Sequence, residues 1–272
     1  MKKLQIVIII LAVLSVAGLY SLPRVVVDDD EEASAGMINP NQPEEALVDH
    51  STEIPAEALP LVTQWKTALY TDGIIGNNET ALDSLMLIFK SVNKYDSAAY
   101  YAGQFAERYP GEKTWRKAGD SYYEAFTFAI DEAKSQLMSN NARLYYDKIL
   151  DSGVKDLSIK NNIAMLLVNS SVPMQGITML REILAEQPDN AQALFNMGIL
   201  SLDTKQFDRA LGRFQDLIEY HPDHIQGHFF LGVSYFETGD PAKAKAQFEK
   251  IKEMNSPEWL KNAADEYLER IE

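Results

Sequence analysis

Three of the four histidines of the chain lie close together, in the stretch HPDHIQGH. His224 and His228 are four residues apart, a spacing that places two imidazoles on one face of a helix, and Asp223 adds a carboxylate. His221, His224 and His228 are therefore candidate ligands of a zinc or nickel ion in a metal-dependent hydrolase. However, no glutamate follows the first histidine, so the metalloprotease signature is incomplete.

A second stretch that could do chemistry is FFLGVSYFETGDPAKAKAQF, residues 229–248, which contains two glycines, Gly232 and Gly239. A phosphate-binding loop needs closely spaced glycines followed by Lys and Ser or Thr, and this stretch lacks that pattern. Instead, Gly232 lies inside an apolar run and Gly239 ends it. Asp240 and Pro241 then suit the cap and the first residue of another helix. The stretch is typical of a helical hairpin.

The sequence offers little for nucleophilic catalysis. It contains no cysteine and no Gly-x-Ser-x-Gly motif. Ser201 and Ser234 fall within apolar helical patterns, with no histidine at a recognisable spacing. We therefore predict that the protein is not an enzyme and holds no cofactor or metal.

The elements that would position these residues follow a regular period. Beyond residue 57, Gly and Pro occur at the ends of amphipathic runs, and the alternation expected of strands is absent. Pro188, Pro222 and Pro257 recur with a period of about 34 residues, a length that predicts stacked helical hairpins.

Residues at equivalent places in two successive periods are similar. The aligned pairs are Leu194 and His228, Gly198 and Gly232, Ala210 and Ala244, and Phe214 and Phe248. The small residues allow two helices to approach closely, and the phenylalanines fill the space between neighbouring hairpins.

On these residues the chain resembles the tetratricopeptide repeat family. Leu231-Gly232, Tyr235, Ala244 and Phe248 match its pattern closely, whereas the preceding unit has Ser201 at the tyrosine position. The resemblance covers roughly residues 79–272. It implies an all-α solenoid of antiparallel helical hairpins, and His228 then falls at a packing position, with His221 and His224 in an exposed turn.

The resemblance weakens towards the N-terminus. A unit from Leu157 has Gly176 at the alanine position, and a weak unit runs from about Glu79 to Pro110. Between them, Trp115 opens a unit whose second helix we expect to begin near Asn141, after a long first helix.

A final helix, SPEWLKNAADEYLERIE, is expected to cover the last hairpin. Ser256 suits its N-cap and Pro257 its first position.

Members of this family bind peptides in a concave groove lined by the first helix of each hairpin. The groove residues implied here are Asn161, Met165, Gln192, Phe195, Ile199, Gln226, Phe229, Val233 and Phe236. This surface is apolar and aromatic with amides, and it lacks the basic clamp that some members use to hold an acidic tail. We expect Phe195, Phe229 and Phe236 to anchor a protein or peptide segment. The alternative is that a curled superhelix, a folded-back C-terminal helix or self-association covers them.

The N-terminus predicts a membrane anchor. Lys2 and Lys3 precede an uncharged run from Leu4 to Pro23, long enough to cross a bilayer as a helix. A cleaved signal peptide is the alternative, because small residues surround Ala17. The positive-inside rule places the rest of the chain outside the cytoplasm, which for a bacterium means an inner-membrane protein facing the periplasm.

An acidic linker follows the anchor. Residues 28–57 contain ten acidic side chains, no Lys or Arg, and three prolines, a composition that predicts a disordered tether. No basic stripe occurs in the chain, which argues against a nucleic-acid partner.

The sequence thus divides into five segments. They are an anchor (1–23), an acidic linker (24–57), degenerate helical repeats (58–156), tetratricopeptide repeats (157–256) and a capping helix (257–272). We expect a membrane-anchored adaptor or scaffold that binds proteins in envelope assembly, secretion or protein quality control. The alternatives are the metal-dependent hydrolase and a purely structural oligomer.

Overall fold

The computed structural model describes residues 53–71 and 75–271, and these residues form twelve α-helices without any β-strand. For this part of the chain, the prediction of an all-α fold is confirmed. The predicted anchor and most of the predicted linker lie outside the described residues. None of the helices described is both long and apolar enough to cross a membrane.

The helices follow one another with short connections. They are α1 (Leu59–Tyr70), α2 (Ile75–Ser91), α3 (Tyr95–Arg108), α4 (Glu112–Thr127), α5 (Glu132–Asp151), α6 (Leu157–Val168), α7 (Pro173–Glu186), α8 (Ala191–Asp203), α9 (Phe207–Tyr220), α10 (Ile225–Glu237), α11 (Pro241–Glu253) and α12 (Glu258–Ile271). Such short connections make consecutive helices antiparallel neighbours. The hairpins are α2/α3, α4/α5, α6/α7, α8/α9 and α10/α11, with α1 packed on α2 and α12 packed on α11.

A side-chain cap starts the first helix of each of the last three hairpins. Asp156 accepts hydrogen bonds from the N–H groups of Ser158 and Ile159, Asn190 Oδ1 from Ala193, and His224 Nδ1 from Gly227. The caps follow one another at intervals of one repeat and bind donors that the first turn of a helix leaves free. The sequence period is therefore also a period of helix starts.

Glycine and phenylalanine form the contact inside each of the last two hairpins. A Cβ atom added to Gly198 would lie 2.5 Å from the Phe214 ring, and one added to Gly232 would lie 2.8 Å from the Phe248 ring. Both rings are fully buried. This confirms the predicted close approach of the helices at the glycines, and it shows that each ring fills space inside its own hairpin.

Gly176 makes the closest approach between helices in the α6/α7 hairpin. A Cβ atom there would lie 2.2 Å from the backbone oxygen of Ala164, so even an alanine does not fit without a shift of α7. The glycine at the alanine position of the repeat therefore reflects tighter packing of this hairpin.

The bend that contains Gly239 matches the sequence prediction. Gly239 has a φ of +81°, a conformation that glycine adopts without strain. The Asp240 side chain accepts a hydrogen bond from the N–H of Lys243 at 3.1 Å, and Pro241 is the first residue of α11. Residues 229–248 form a helical hairpin rather than a phosphate-binding loop.

The prediction of a long first helix before Asn141 is wrong. α4 ends at Thr127, whereas α5 begins at Glu132, well before Asn141, and is the longer of the two helices. The Asp131 side chain starts α5 by accepting a hydrogen bond from the N–H of Lys134 at 2.7 Å. This hairpin has more residues than the regular repeat, and most of the extra residues extend the N-terminal end of its second helix.

The aromatic residue that packs on the glycine of this hairpin nevertheless comes later in the sequence than in the other hairpins, as predicted for the second helix. The Tyr146 ring covers Gly119, and a Cβ atom added to Gly119 would lie 2.7 Å from that ring. Phe214 covers Gly198 in the same way in the α8/α9 hairpin. The stretch of chain between the glycine and the aromatic residue is longer here than between Gly198 and Phe214. The insertion thus leaves the glycine–aromatic contact intact.

The prediction that Ser256 caps the last helix is also wrong. Its hydroxyl is buried and makes no hydrogen bond within the described residues. The carbonyl of Pro257 instead accepts the first helical hydrogen bonds, from Leu260 and Lys261, and α12 starts at Glu258. The helix therefore begins one residue later, with proline before it.

Candidate functional site

The groove residues all lie on the first helices α6, α8 and α10, but their exposure differs. Gln192 and Gln226 are exposed, and Met165, Phe195, Ile199 and Phe236 are half-buried. Asn161, Phe229 and Val233 are buried. The open part of this surface is therefore centred on α8 and on the first turn of α10.

Helix α12 covers the C-terminal end of the groove. The Tyr267 ring lies 5.9 Å from the Phe229 ring and 5.4 Å from the Phe236 ring, measured between centroids. The Arg270 guanidinium lies 4.6 Å from the centroid of Phe236. Phe229 is therefore a core residue beneath a folded-back C-terminal helix, one of the arrangements that the sequence left open. Phe236 keeps part of its surface at the edge of this cover.

Phe195 is the aromatic residue at the centre of the open part. Its ring lies 5.6 Å from Phe230 and 6.1 Å from Phe214, in edge-to-face arrangements. On the other side it stacks on the His224 imidazole at 5.5 Å. These contacts fix the orientation of a half-buried ring that keeps part of its surface accessible, so it is a preorganised apolar contact for another chain.

Polar side chains continue this surface towards the N-terminus. Gln192 donates to Asn162 Oδ1 at 3.1 Å, Asn162 donates to the Tyr146 hydroxyl at 3.0 Å, and that hydroxyl donates to Asp120 Oδ1 at 2.8 Å. The row joins helices α8, α6, α5 and α4. We call these four residues the polar row.

The polar row holds two groups with perturbed ionisation. Removal from water raises the pKa of Asp120, and it raises the pKa of Tyr146 even more, so the hydroxyl stays protonated and remains a donor. Asp120, Tyr146 and Asn162 were not predicted from the sequence. Tyr146 stands at the aromatic position of its hairpin, over Gly119, but the extra residues before it hide this position from the sequence period.

Asn161 lies beside the polar row and is completely buried. Its Oδ1 accepts a hydrogen bond from Asn196 at 3.1 Å, whereas its Nδ2 has no partner within the described residues. Asn161 and Asn196 therefore fasten α6 to α8 and position the first helices relative to each other. Asn161 does not offer its amide to a ligand.

The three candidate metal ligands have separate hydrogen-bonding roles. His221 Nε2 contacts the carbonyl oxygen of Asp189 at 2.6 Å, and His224 Nδ1 caps α10. The buried His228 bonds through Nδ1 to Gln247 and through Nε2 to the carbonyl of Pro222, both at 2.8 Å. In the part of the chain that the structure describes, no three His or acidic residues are arranged to hold a metal ion.

The two serines that were considered as nucleophiles are bonded to their own helices. Ser201 Oγ donates to the carbonyl of Met197 and Ser234 Oγ to that of Phe230, each at 2.7 Å. Both are buried, and each follows the usual bond to the residue four positions earlier.

Comparison with known proteins agrees with this architecture. Residues 195–257 match the model of the tetratricopeptide repeat family. A crystal structure of a tetratricopeptide repeat protein from Parabacteroides merdae aligns with a TM-score of 0.52 and 17% identity, over 72% of this chain and 73% of that chain. The described helices therefore form an array of tetratricopeptide-type hairpins.

Two further solved structures are similar at lower scores. YrrB, described as a tetratricopeptide repeat protein with an unusual peptide-binding site, aligns with a TM-score of 0.42 and 18% identity, over 75% of this chain and 99% of that chain. MamA from Desulfovibrio magneticus, from residue 41 to its end, has a TM-score of 0.46 and 15% identity, over 66% of this chain and 97% of that chain. No curated protein sequence matches the chain.

Proposed function

We propose that this tetratricopeptide-repeat protein is a membrane-anchored adaptor that binds an uncharged, apolar segment of a partner protein outside the cytoplasm. The observation that carries the proposal is the half-buried Phe195 ring, held by Phe214, Phe230 and His224. Gln192 and Gln226 flank it as exposed amides. An oriented aromatic ring between amide groups suits an extended or helical peptide, which needs apolar contact and a few hydrogen bonds.

The charge of this surface indicates the class of partner. None of the groove residues is charged. The cation of Arg270 lies over Phe236 at the C-terminal end, whereas around Phe195 the groove residues offer an acidic tail only amides. An apolar segment bears no desolvation cost for a charge. The partner segment is therefore expected to place one or two apolar side chains against Phe195, Ile199 and the open edge of Phe236.

The anchor and the orientation rest on the N-terminal sequence. The uncharged run from Leu4 to Pro23 follows two lysines, and the acidic linker separates it from α1. A long, self-repelling linker would let the helical array reach partners at a distance from the bilayer. Envelope assembly, secretion and protein quality control are the processes that this layout would serve.

Site-specific photo-crosslinking in cells tests the binding surface. A photoreactive phenylalanine analogue is placed at Gln192 or Gln226, and at Gln215 on α9 as a matched exposed glutamine of a second helix. We expect a crosslinked partner from the first two positions and none from Gln215. Binding of the identified partner should then fall at least tenfold in Phe195→Asp but stay unchanged in Trp259→Asp, which alters an exposed ring on α12. Equal crosslinking from all three positions, or unaltered binding by Phe195→Asp, would contradict the proposal.

Fractionation tests the anchor separately. The full-length protein should remain with membranes after a carbonate wash, and protease added to spheroplasts should digest it. A chain that lacks residues 1–23 but carries a cleavable export signal should be released as a soluble protein. Resistance to the protease would reverse the proposed orientation and leave the binding surface unaffected.

A further inference from the structure

Tyr235 shows how the repeat tyrosine is held in the α10/α11 hairpin. Its hydroxyl accepts a hydrogen bond from Gln215 Nε2 on α9 at 3.0 Å. The ammonium group of Lys243 on α11 lies 5.2 Å from the centre of its ring. The ring therefore fills the space between the second helices α9 and α11, with a donor at its tip and a cation over its face.

The same place in the preceding hairpin has no ring. Ser201 stands one repeat before Tyr235, and its short side chain turns back to the carbonyl of Met197 at 2.7 Å. A cleft of about 610 Å³ lies at this point, between α6, α7, α8 and α9. Its apolar lining consists of Val168, Pro173, Ile177, Met197 and Leu200. We call it the Ser201 cleft.

Two residues that line the cleft replace the partners of Tyr235. Arg181 stands one repeat before Gln215, and Arg209 stands one repeat before Lys243. A guanidinium group donates hydrogen bonds to oxygen acceptors and stacks on aromatic faces. Arg209 also donates to Gln206 in the turn before α9, which keeps its side chain at the cleft.

The positive and negative side chains that line the cleft are equal in number. Arg181, Arg209 and Arg213 are matched by Asp203, Asp208 and Asp216 among the lining residues. The cleft therefore discriminates little between ligands by their net charge, and the shape and the ring chemistry of a ligand decide whether it binds.

We propose that the Ser201 cleft binds the side chain of a tyrosine from a partner protein. The phenol ring lies where the Tyr235 ring lies one hairpin later, Arg181 donates to its oxygen, and Arg209 covers its face. The cleft shares no residue with the groove, so this is a second site, and it stands or falls independently of the proposed groove function.

The test uses p-cresol, which is the tyrosine side chain without its backbone, and methionine methyl NMR of the full-length protein. Met197 lines the cleft, so its methyl signal, assigned with Met197→Leu, should shift saturably as p-cresol is added. The signals of Met86 and Met254, which lie in other hairpins, should stay in place. As a matched compound, 4-methylcyclohexanol has a similar shape without the aromatic ring and should bind several-fold more weakly.

Three variants sharpen the test. Ser201→Tyr supplies the ring from within and should abolish the shift of Met197. Arg209→Ala removes the cation over the ring and should weaken p-cresol binding about two- to fivefold. Tyr235→Ser opens the equivalent space in the next hairpin, so p-cresol should restore part of the melting temperature that this variant loses.

Tyr235→Ser also shows whether p-cresol is able to fill such a space in this protein at all. If p-cresol rescues Tyr235→Ser but leaves the Met197 signal of the wild-type protein unshifted, the Ser201 cleft is not a phenol site. An unchanged affinity in both Ser201→Tyr and Arg209→Ala would overturn the proposal equally.

Discussion

Helices α1–α5 and helices α6–α11 are built from the same hairpin unit but are held together differently. Between the N-terminal hairpins, Lys117 pairs with Asp83 at 2.6 Å and Lys148 pairs with Glu107 at 2.7 Å, so ion pairs join α4 to α2 and α5 to α3. By contrast, no ion pair among the described residues joins two of the hairpins formed by α6–α11. Lys243 and Lys245 pair within α11 and its cap, Lys252 of α11 pairs with Asp265 of α12, and Asp156 at the start of α6 pairs with Arg116 of α4. There the buried Phe214 ring stacks on Phe230 of the next hairpin, and the buried Phe248 ring stacks on Tyr267 of α12.

The aromatic residues of the two regions differ in the same way. The N-terminal core uses tyrosines, and the Tyr145 hydroxyl donates to the carbonyl of Gly103 at 3.2 Å while Tyr146 donates to Asp120. Burial raises the pKa of both tyrosines, so both hydroxyls stay protonated. A phenol can close a packing gap only where an acceptor meets its hydroxyl, whereas a phenylalanine needs none.

This difference explains why the repeat pattern fades towards the N-terminus although the hairpins continue. A core built from phenylalanine, alanine and glycine places the same residue types at the same spacing in every unit. A core built from hydrogen-bonded tyrosines and ion pairs depends on partners contributed by other helices, and these are not periodic. The following predictions test this comparison, from the largest expected effect to the smallest.

Truncation of a buried phenylalanine in the C-terminal hairpins should lower the stability of the protein most. Phe248→Ala removes a fully buried ring that packs on Gly232, and it should lower the free energy of unfolding by about 3–5 kcal/mol. Urea denaturation followed by circular dichroism measures the change. Trp259→Ala, at a ring that is 62% exposed, is the control and should cost less than about 0.5 kcal/mol. If the urea midpoint of Phe248→Ala equals that of the wild-type protein, the Phe248 ring does not pack in the core.

A single methyl group should separate a close helix contact from an open one. Gly176→Ala places a Cβ atom 2.2 Å from the oxygen of Ala164 and should cost about 1–3 kcal/mol in unfolding free energy. Gly212→Ala, on α9 with no atom within 4 Å of the new Cβ, should stabilise the helix by about 0.5–1 kcal/mol. If both variants shift the melting temperature in the same direction, the tight packing of α7 on α6 is not real.

Removal of one oxygen should reveal the polar character of the N-terminal hairpins. Tyr146→Phe keeps the ring over Gly119 but removes the hydroxyl that links Asn162 to Asp120. It should cost about 1–2 kcal/mol. The matched change Tyr220→Phe, at an exposed tyrosine of α9, should have no measurable effect. Equal stability of Tyr146→Phe and the wild-type protein would mean that the polar row contributes nothing to folding.

The smallest expected effect is a pH dependence of the α10 cap. Burial, together with the nearby His221 and His228, holds the pKa of His224 below its usual value in the folded protein. The folded state therefore favours the neutral ring, whose Nδ1 accepts from Gly227. This contribution is present above the ordinary histidine pKa and is lost as pH falls through that value towards the folded pKa.

The comparison of wild type with His224→Asn measures this contribution. Asparagine can still cap the helix but does not titrate, so the variant should lose less stability than the wild type as the pH falls from about 7.5 to about 5. The expected difference is at most about 1 kcal/mol, the size of one N-cap. Parallel pH curves for the two proteins would show that His224 titrates without affecting the cap.

Much of the fold could be predicted from the sequence in the regular region. The repeat period, the close helix approach at Gly198 and Gly232, and the turn at Gly239-Asp240-Pro241 all appear in the structure as expected. That Phe214 and Phe248 cover the glycines of their own hairpins was not predicted. One failure is the Ser256 cap, and the other lies where the period is broken. The insertion before Asn141 could be assigned to either helix of its hairpin, and only the cap at Asp131 decides for α5.

Less of the candidate site could be predicted. The family pattern implies which residues line a groove, but it does not show that Tyr267 and Arg270 lie over Phe229 and Phe236. The polar row joins side chains from four helices, and the sequence does not show that they meet. The Ser201 cleft is visible in the sequence only as a missing tyrosine, and whether the neighbouring helices collapse into that space depends on packing.

The sequence by itself determined the helical hairpin, its period and the small and aromatic residues that pack inside it, because these depend on contacts within one repeat. The tertiary structure decided which first-helix residues stay open, where buried tyrosine hydroxyls find acceptors, and that the helices beside Ser201 leave a cleft between them. These properties depend on contacts between residues far apart in the chain, and no local pattern records them.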